Sequence, residues 1–187
     1  MTIYGYEKDG ADSKGFGCMP MFGYVKEMRM DAVMQAKKAF GDGGRQVYRA
    51  MGVVGEVMLY ARKQGLAALS KDEFFRDGPY VLDLIEEKIG DKVPMRTYLE
   101  FGLGHISKGE EPEDVAGFMT NRYFASGYLV ADAITAYIYC ISILGMVYGI
   151  SYAYMLEYFA SLIPDCELSE FNGFAGEKRK QIEGERY

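Results

Sequence analysis

Apolar positions recur at steps of three and four along most of this 187-residue chain, the spacing that aligns one face of an α-helix. Val25, Met28, Val33, Met34 and Phe40 follow it and predict a helix from about Tyr24 to Phe40, stopped by the glycines of Gly41-Asp42-Gly43-Gly44. Val47, Met51, Val54, Met58 and Ala61 predict a second, from about Gln46 to Lys63, with Gly65 ending it. Ser70-Lys71-Asp72-Glu73 reads as a capping box, in which the serine oxygen accepts from a free backbone N–H and the glutamate reaches back. It opens a short helix with Phe74 and Phe75, and Pro79 starts another, whose buried side is Val81, Leu82, Leu84, Ile85 and Ile89. Helices follow from Pro94 to Ser107, from Pro112 to Gly127, and through the apolar run Tyr128 to Tyr148. Ser151 caps a last one that Pro164 stops. No segment alternates with period two for long enough to argue a sheet. The pattern predicts an all-α protein, a compact multi-helix bundle or short array of helix hairpins with six to eight helices.

The flanks differ in kind. Residues 1–20 are polar and glycine-rich, without the apolar stretch of a secretory signal, and read as a flexible N-terminal arm. Residues 21–164 form the helical domain. Residues 165–187 contain the charged run EKRKQIEGER and read as a solvated, disordered tail. Within the domain, Phe101, Leu103, Ile106, Gly109, Val115, Phe118 and Met119 match Ile141, Ile143, Met146, Gly149, Met155, Tyr158 and Phe159 at a constant offset of forty positions. Each unit reads as a helix, a glycine turn and a second helix.

Leu129 to Val147 is apolar enough to raise the question of a membrane span. Asp132 is its only charge, and no basic residue flanks it closely. Asp132, Thr135, Tyr139, Ser142 and Gly149 fall on one helix face, which suits close packing inside a bundle and would equally suit packing between membrane helices. A buried central helix is the favoured reading, with membrane contact left open for residues 129–147.

Composition narrows the partners. The formal net charge of -6 repels phosphate backbones and argues against nucleic acid. Cys18, Cys140 and Cys166 are odd in number and far apart, which argues against a disulfide framework or zinc site and fits a reducing, cytoplasmic setting. Abundant methionine and tyrosine are compatible with self-association into a homo-oligomer.

Each candidate for chemistry has a simpler structural explanation. His105 is the only histidine, and no nucleophile pattern points to it. Glu86-Glu87 and the run Glu110, Glu111, Glu113, Asp114 lack Glu-x-x-His spacing, and the second suits a helix start. Gly41 to Gly44 lacks the lysine and hydroxyl of a phosphate loop. Cys140 lies in the most apolar helix and reads as an inert hydrophobe. No catalytic residue, metal or cofactor is assigned. The clearest positive signal is an elbow: Arg62 and Lys63 close one helix, and Asp72 and Glu73 open the next. Those four are the candidate partner-binding residues.

That elbow, ARKQGLAALSKDEF from Ala61 to Phe74, resembles the cytoplasmic segment of the flagellar motor stator family MotA. YLEFGLGHISKGEEPEDVAGFM, Tyr98 to Met119, looks like that family's following stretch, and the resemblance spans roughly Val53 to Phe124. It implies a helical region that engages a rotor switch protein through charged residues. The family's arginine falls on Arg62, but its glutamate falls on Ser70, so Asp72 or Glu73 would have to replace that charge. Stator subunits have four spans, whereas this chain has at most one. The resemblance therefore implies a non-enzymatic interaction module, an adaptor or regulator of a flagellar motor-type complex whose partner is a switch or stator protein. The alternative is a small-molecule binder or enzyme with a pocket among Tyr137, Tyr139, Tyr148, Tyr152 and Tyr154.

Overall fold

The computed structural model describes residues 20–41, 44–70, 81–90 and 92–184. Among them are nine α-helices and no strand. They are α1 (Pro20–Tyr24), α2 (Lys26–Gly41), α3 (Arg45–Gln64), α4 (Val81–Ile89), α5 (Arg96–Ser107), α6 (Pro112–Ser126), α7 (Ala131–Val147), α8 (Tyr152–Ala160) and α9 (Leu168–Gly184). A 3-10 turn, Leu66–Ser70, follows α3. The all-α expectation holds. Ser70 of the predicted capping box ends the 3-10 turn and Pro20 opens α1, while the rest of the capping box, the short helix after it, Cys18 and residues 1–19 lie outside the described residues.

The apolar run is the hub. Every residue from Ala133 to Met146 is buried, and α2, α3, α5 and α6 pack around α7. Full burial of each branched side chain here, such as Ile138 or Leu144, contributes about 1.5–3 kcal/mol. No helix among the described residues is long and apolar enough to cross a membrane. The polar stripe of α7 is used for packing. Gln46 Nε2 reaches Asp132 Oδ1 at 2.6 Å and Thr135 Oγ1 at 3.4 Å, and the Tyr139 hydroxyl donates to the Pro94 carbonyl at 2.6 Å. Ser142 Oγ is buried without a hydrogen-bond partner among the described residues.

Two glycines set how closely the helices approach. A Cβ on Gly55 would lie 2.5 Å from the Tyr152 ring, so α8 rests its tyrosine directly on the α3 backbone, with the hydroxyl donating to the Met51 carbonyl. A Cβ on Gly102 would lie 2.4 Å from Ile143 Cδ1, where α5 meets α7.

Two expectations are corrected. The tail is not disordered through its length: Leu168–Gly184 is helical, with Phe171 and Ala175 buried and Phe174 packed on Tyr48. Leu168, Phe171 and Ala175 repeat at helical spacing, a signal that the charged run beside them masks. The buried side of α2 also differs. Met28, Ala32, Ala36, Ala39 and Phe40 face the core, as does Val25 just before the helix, while Val33 and Met34 face outward. Alanine weighs little in a hydrophobic pattern, so the larger side chains on the opposite face dominated the sequence reading.

Candidate functional site

The predicted elbow is only partly within reach. Arg62 and Lys63 are exposed in the last turn of α3, whereas Asp72 and Glu73 lie outside the described residues. Arg62 has no hydrogen bond or ion pair among the described residues; Lys63 is engaged. Arg62 stands at the rim of a cavity of about 360 Å³ between the end of α3, the 3-10 turn and the α7–α8 turn. Met58, Leu66, Met146 and Ile150 supply its apolar wall.

The five tyrosines are placed differently from one another. Tyr137 and Tyr139 are fully buried, and the Tyr137 hydroxyl is bonded to that of Tyr158. Burial raises the pKa of both Tyr137 and Tyr139, so they are neutral core groups. Tyr148 is 37% exposed, and of the five only Tyr152 lines the cavity.

His105 is not a bare surface residue. Its Nδ1 lies 2.5 Å from Glu110 Oε2, and its ring sits between Phe101 and Phe118. Arg122 lies over Phe101, 4.4 Å from the ring centroid. Ser107, the nearest hydroxyl in sequence, donates to the Gly104 carbonyl instead. The pair therefore ties the turn between α5 and α6. The acidic run divides in the same way, because Glu113 accepts from the Tyr24 hydroxyl at 2.5 Å. That bond holds the Glu113 carboxyl below its ordinary value and pushes the Tyr24 hydroxyl up. Glu86 accepts from the Val93 amide, and Arg96 joins it to Asp83 and Glu100, fastening α4 to α5. No group of three or more His, Cys, Asp or Glu residues among those described could hold a metal. Cys140 is buried in α7, which pushes its thiol pKa up.

The surface that sequence reading missed is the outward face of α2. Met30, Val33 and Met34 are 58%, 45% and 74% exposed on one side of this helix. Lys26 precedes them and Lys37 and Lys38 follow, all exposed and without an ion pair among the described residues. Glu27 is the one exposed acid beside them; Asp31, farther round, accepts from Gln35 and Tyr123. The signal was present: the stripe has helical spacing, but a core helix shows the same spacing.

No family model matches the chain, and no curated protein or solved structure matches it.

Proposed function

We propose that this protein is a non-enzymatic contact module that seats an acidic, amphipathic helix of a partner protein on the outward face of α2. The observation that supports it is the inversion of α2: mostly small alanines face its own core, and two methionines and a valine face solvent. Methionine side chains adapt to varied apolar partners, and helix-to-helix docking uses anchors one turn apart. The lysines at both ends select for acid and speed encounter. They also disfavour a second copy of the same face, since α2 against α2 brings an excess of like charge together.

The resemblance of Ala61 to Phe74 to the MotA cytoplasmic segment supports a switch or stator protein of a flagellar motor-type complex as the class of partner. Arg62, exposed and unpaired among the described residues, supports that reading.

The test uses methyl-labelled methionine in the full chain and two designed helical peptides with the same leucine stripe, one flanked by glutamate and one by lysine. The glutamate peptide should move the Met30 and Met34 methyl resonances, and Met34→Glu should weaken it by about tenfold or more. Equal response to both peptides, or response elsewhere only, would refute the assignment of this face. Titration with a purified switch protein then tests the partner class: Arg62→Glu should weaken that binding, and unchanged binding removes the elbow from the interface.

A further inference from the structure

We infer that the cavity beside Arg62 is a binding site for a small organic monocarboxylate with an apolar tail. The inference rests on the cavity and is independent of the α2 face.

The volume of about 360 Å³ lies in the range of small-molecule sites. The cavity exists because two helix ends meet without side chains between them. Gly65 follows α3 and Gly149 follows α7, both at positive φ, and a Cβ at either would meet open space. Met58, Leu66, Met146 and Ile150 present apolar surface to the cavity, and Tyr152 lines it as well. The thioethers of Met58 and Met146 can conform to a flexible aliphatic tail.

Among the described residues that line the cavity, Arg62 is the one charged side chain. It is exposed and has no hydrogen bond or ion pair among the described residues, so its guanidinium fork is available. A planar guanidinium pairs with a carboxylate through two parallel N–H···O bonds. One cation calls for one negative charge, which favours a monocarboxylate over a phosphate ester. The apolar wall calls for a tail, which favours a fatty or aryl acid over acetate. An amine with the same tail would meet Arg62 with like charge.

Octanoate, octylamine and octanol are the probes, read by the methionine methyl resonances of the full protein. Octanoate should shift Met58 and Met146 but not Met30 or Met34, with a dissociation constant on the order of 1 mM. Octylamine should bind much more weakly. Arg62→Gln should reduce octanoate affinity by about tenfold and leave octanol unchanged. Ile150→Trp, which fills the wall without touching the arginine, should block octanoate and octanol alike. Thermal melting of both variants checks that they are folded. Equal binding of octanoate and octylamine, retention of octanoate affinity in Arg62→Gln, or no shift at Met58 and Met146 up to about 10 mM ligand would each overturn the inference.

Discussion

The hairpin of α5 and α6 and the hairpin of α7 and α8 share one plan and carry different loads. Their helices end at Ser107 and Val147 and resume at Pro112 and Tyr152, the same offset as the apolar repeat. Gly109 and Gly149 both take positive φ, and each donates to the carbonyl three residues back, Ile106 and Met146. The turns differ in their other bonds: the Tyr148 amide donates to the Leu144 carbonyl four residues back, whereas the Lys108 amide donates to the His105 carbonyl three back. In the second hairpin the Ile150 amide donates to the Gly145 carbonyl at 2.8 Å, completing a Schellman motif. In the first, the equivalent positions are Glu110 and His105, and a side-chain pair links them instead. The second hairpin keeps its turn by backbone bonding and leaves Ile150 free to line a cavity. The first spends two side chains on the same closure and carries exposed Phe118 and Phe124 on α6.

Substitutions at matched positions test how unequal the hairpins are. Tyr158 and Phe118 are equivalent in sequence, yet one is 2% and the other 44% exposed. Tyr158→Ala should lose about 3–5 kcal/mol by urea denaturation, because it leaves a void and strips the Tyr137 hydroxyl of its partner. Phe118→Ala should lose less than about 1 kcal/mol. Comparable losses would mean that the hairpins share the load after all.

The next contrast is between the close approaches. Gly55→Ala should lose about 1–3 kcal/mol, since the new methyl meets the Tyr152 ring, which the Met51 carbonyl holds in place. Gly102→Ala should stay within about 1 kcal/mol of the parent. Its methyl meets the flexible ends of Ile143 and Met119, and alanine gains about 1 kcal/mol of helix propensity. Thermal melting would rank the two, and a reversed order would contradict the rigid contact at α8.

The smallest effect concerns the helix starts. Ser151 caps α8 by accepting from the Tyr154 amide, whereas the start of α6 is tied to α1 through Glu113 and Tyr24. A carboxyl held below its ordinary value of 4.5 adds stability above that pH and loses it as the pH falls through the folded value. Tyr24→Phe should therefore lower the denaturation midpoint slightly at neutral pH, and the difference should vanish in acid. A difference that persists in acid would mean that the tyrosine does not act through the ionised carboxylate.

The fold was legible wherever punctuation was local. Pro112, Gly127, Gly149 and Ser151 act within one turn of backbone, and the helix ends fall at or beside them. The central place of α7 was legible too, because a helix apolar on all sides needs neighbours on all sides. Features that depend on which face meets which neighbour were not. Met34 and Met28 look alike in a periodic pattern, and only the packing of α2 on α7 separates an exposed methionine from a core one. Arg62 was visible as a helix-end charge. The cavity beside it was not, since its walls come from two segments far apart in the chain, Met58 to Leu66 and Met146 to Ala153. His105 and Glu110 are five residues apart, too far for one helix turn, and the bend at Gly109 brings them together.

The position of α7 also bears on synthesis. The helices that surround it, α2, α3, α5 and α6, all precede it in the chain. A ribosome therefore delivers four apolar faces before the element that covers them. Seventeen residues of α7 take about one to three seconds to add at ordinary rates, and the interval is longer once passage through the exit tunnel is included. Until α7 emerges those faces lack the helix they pack against, and α8 and α9, which add Phe159 and Phe171 to the core, come later still.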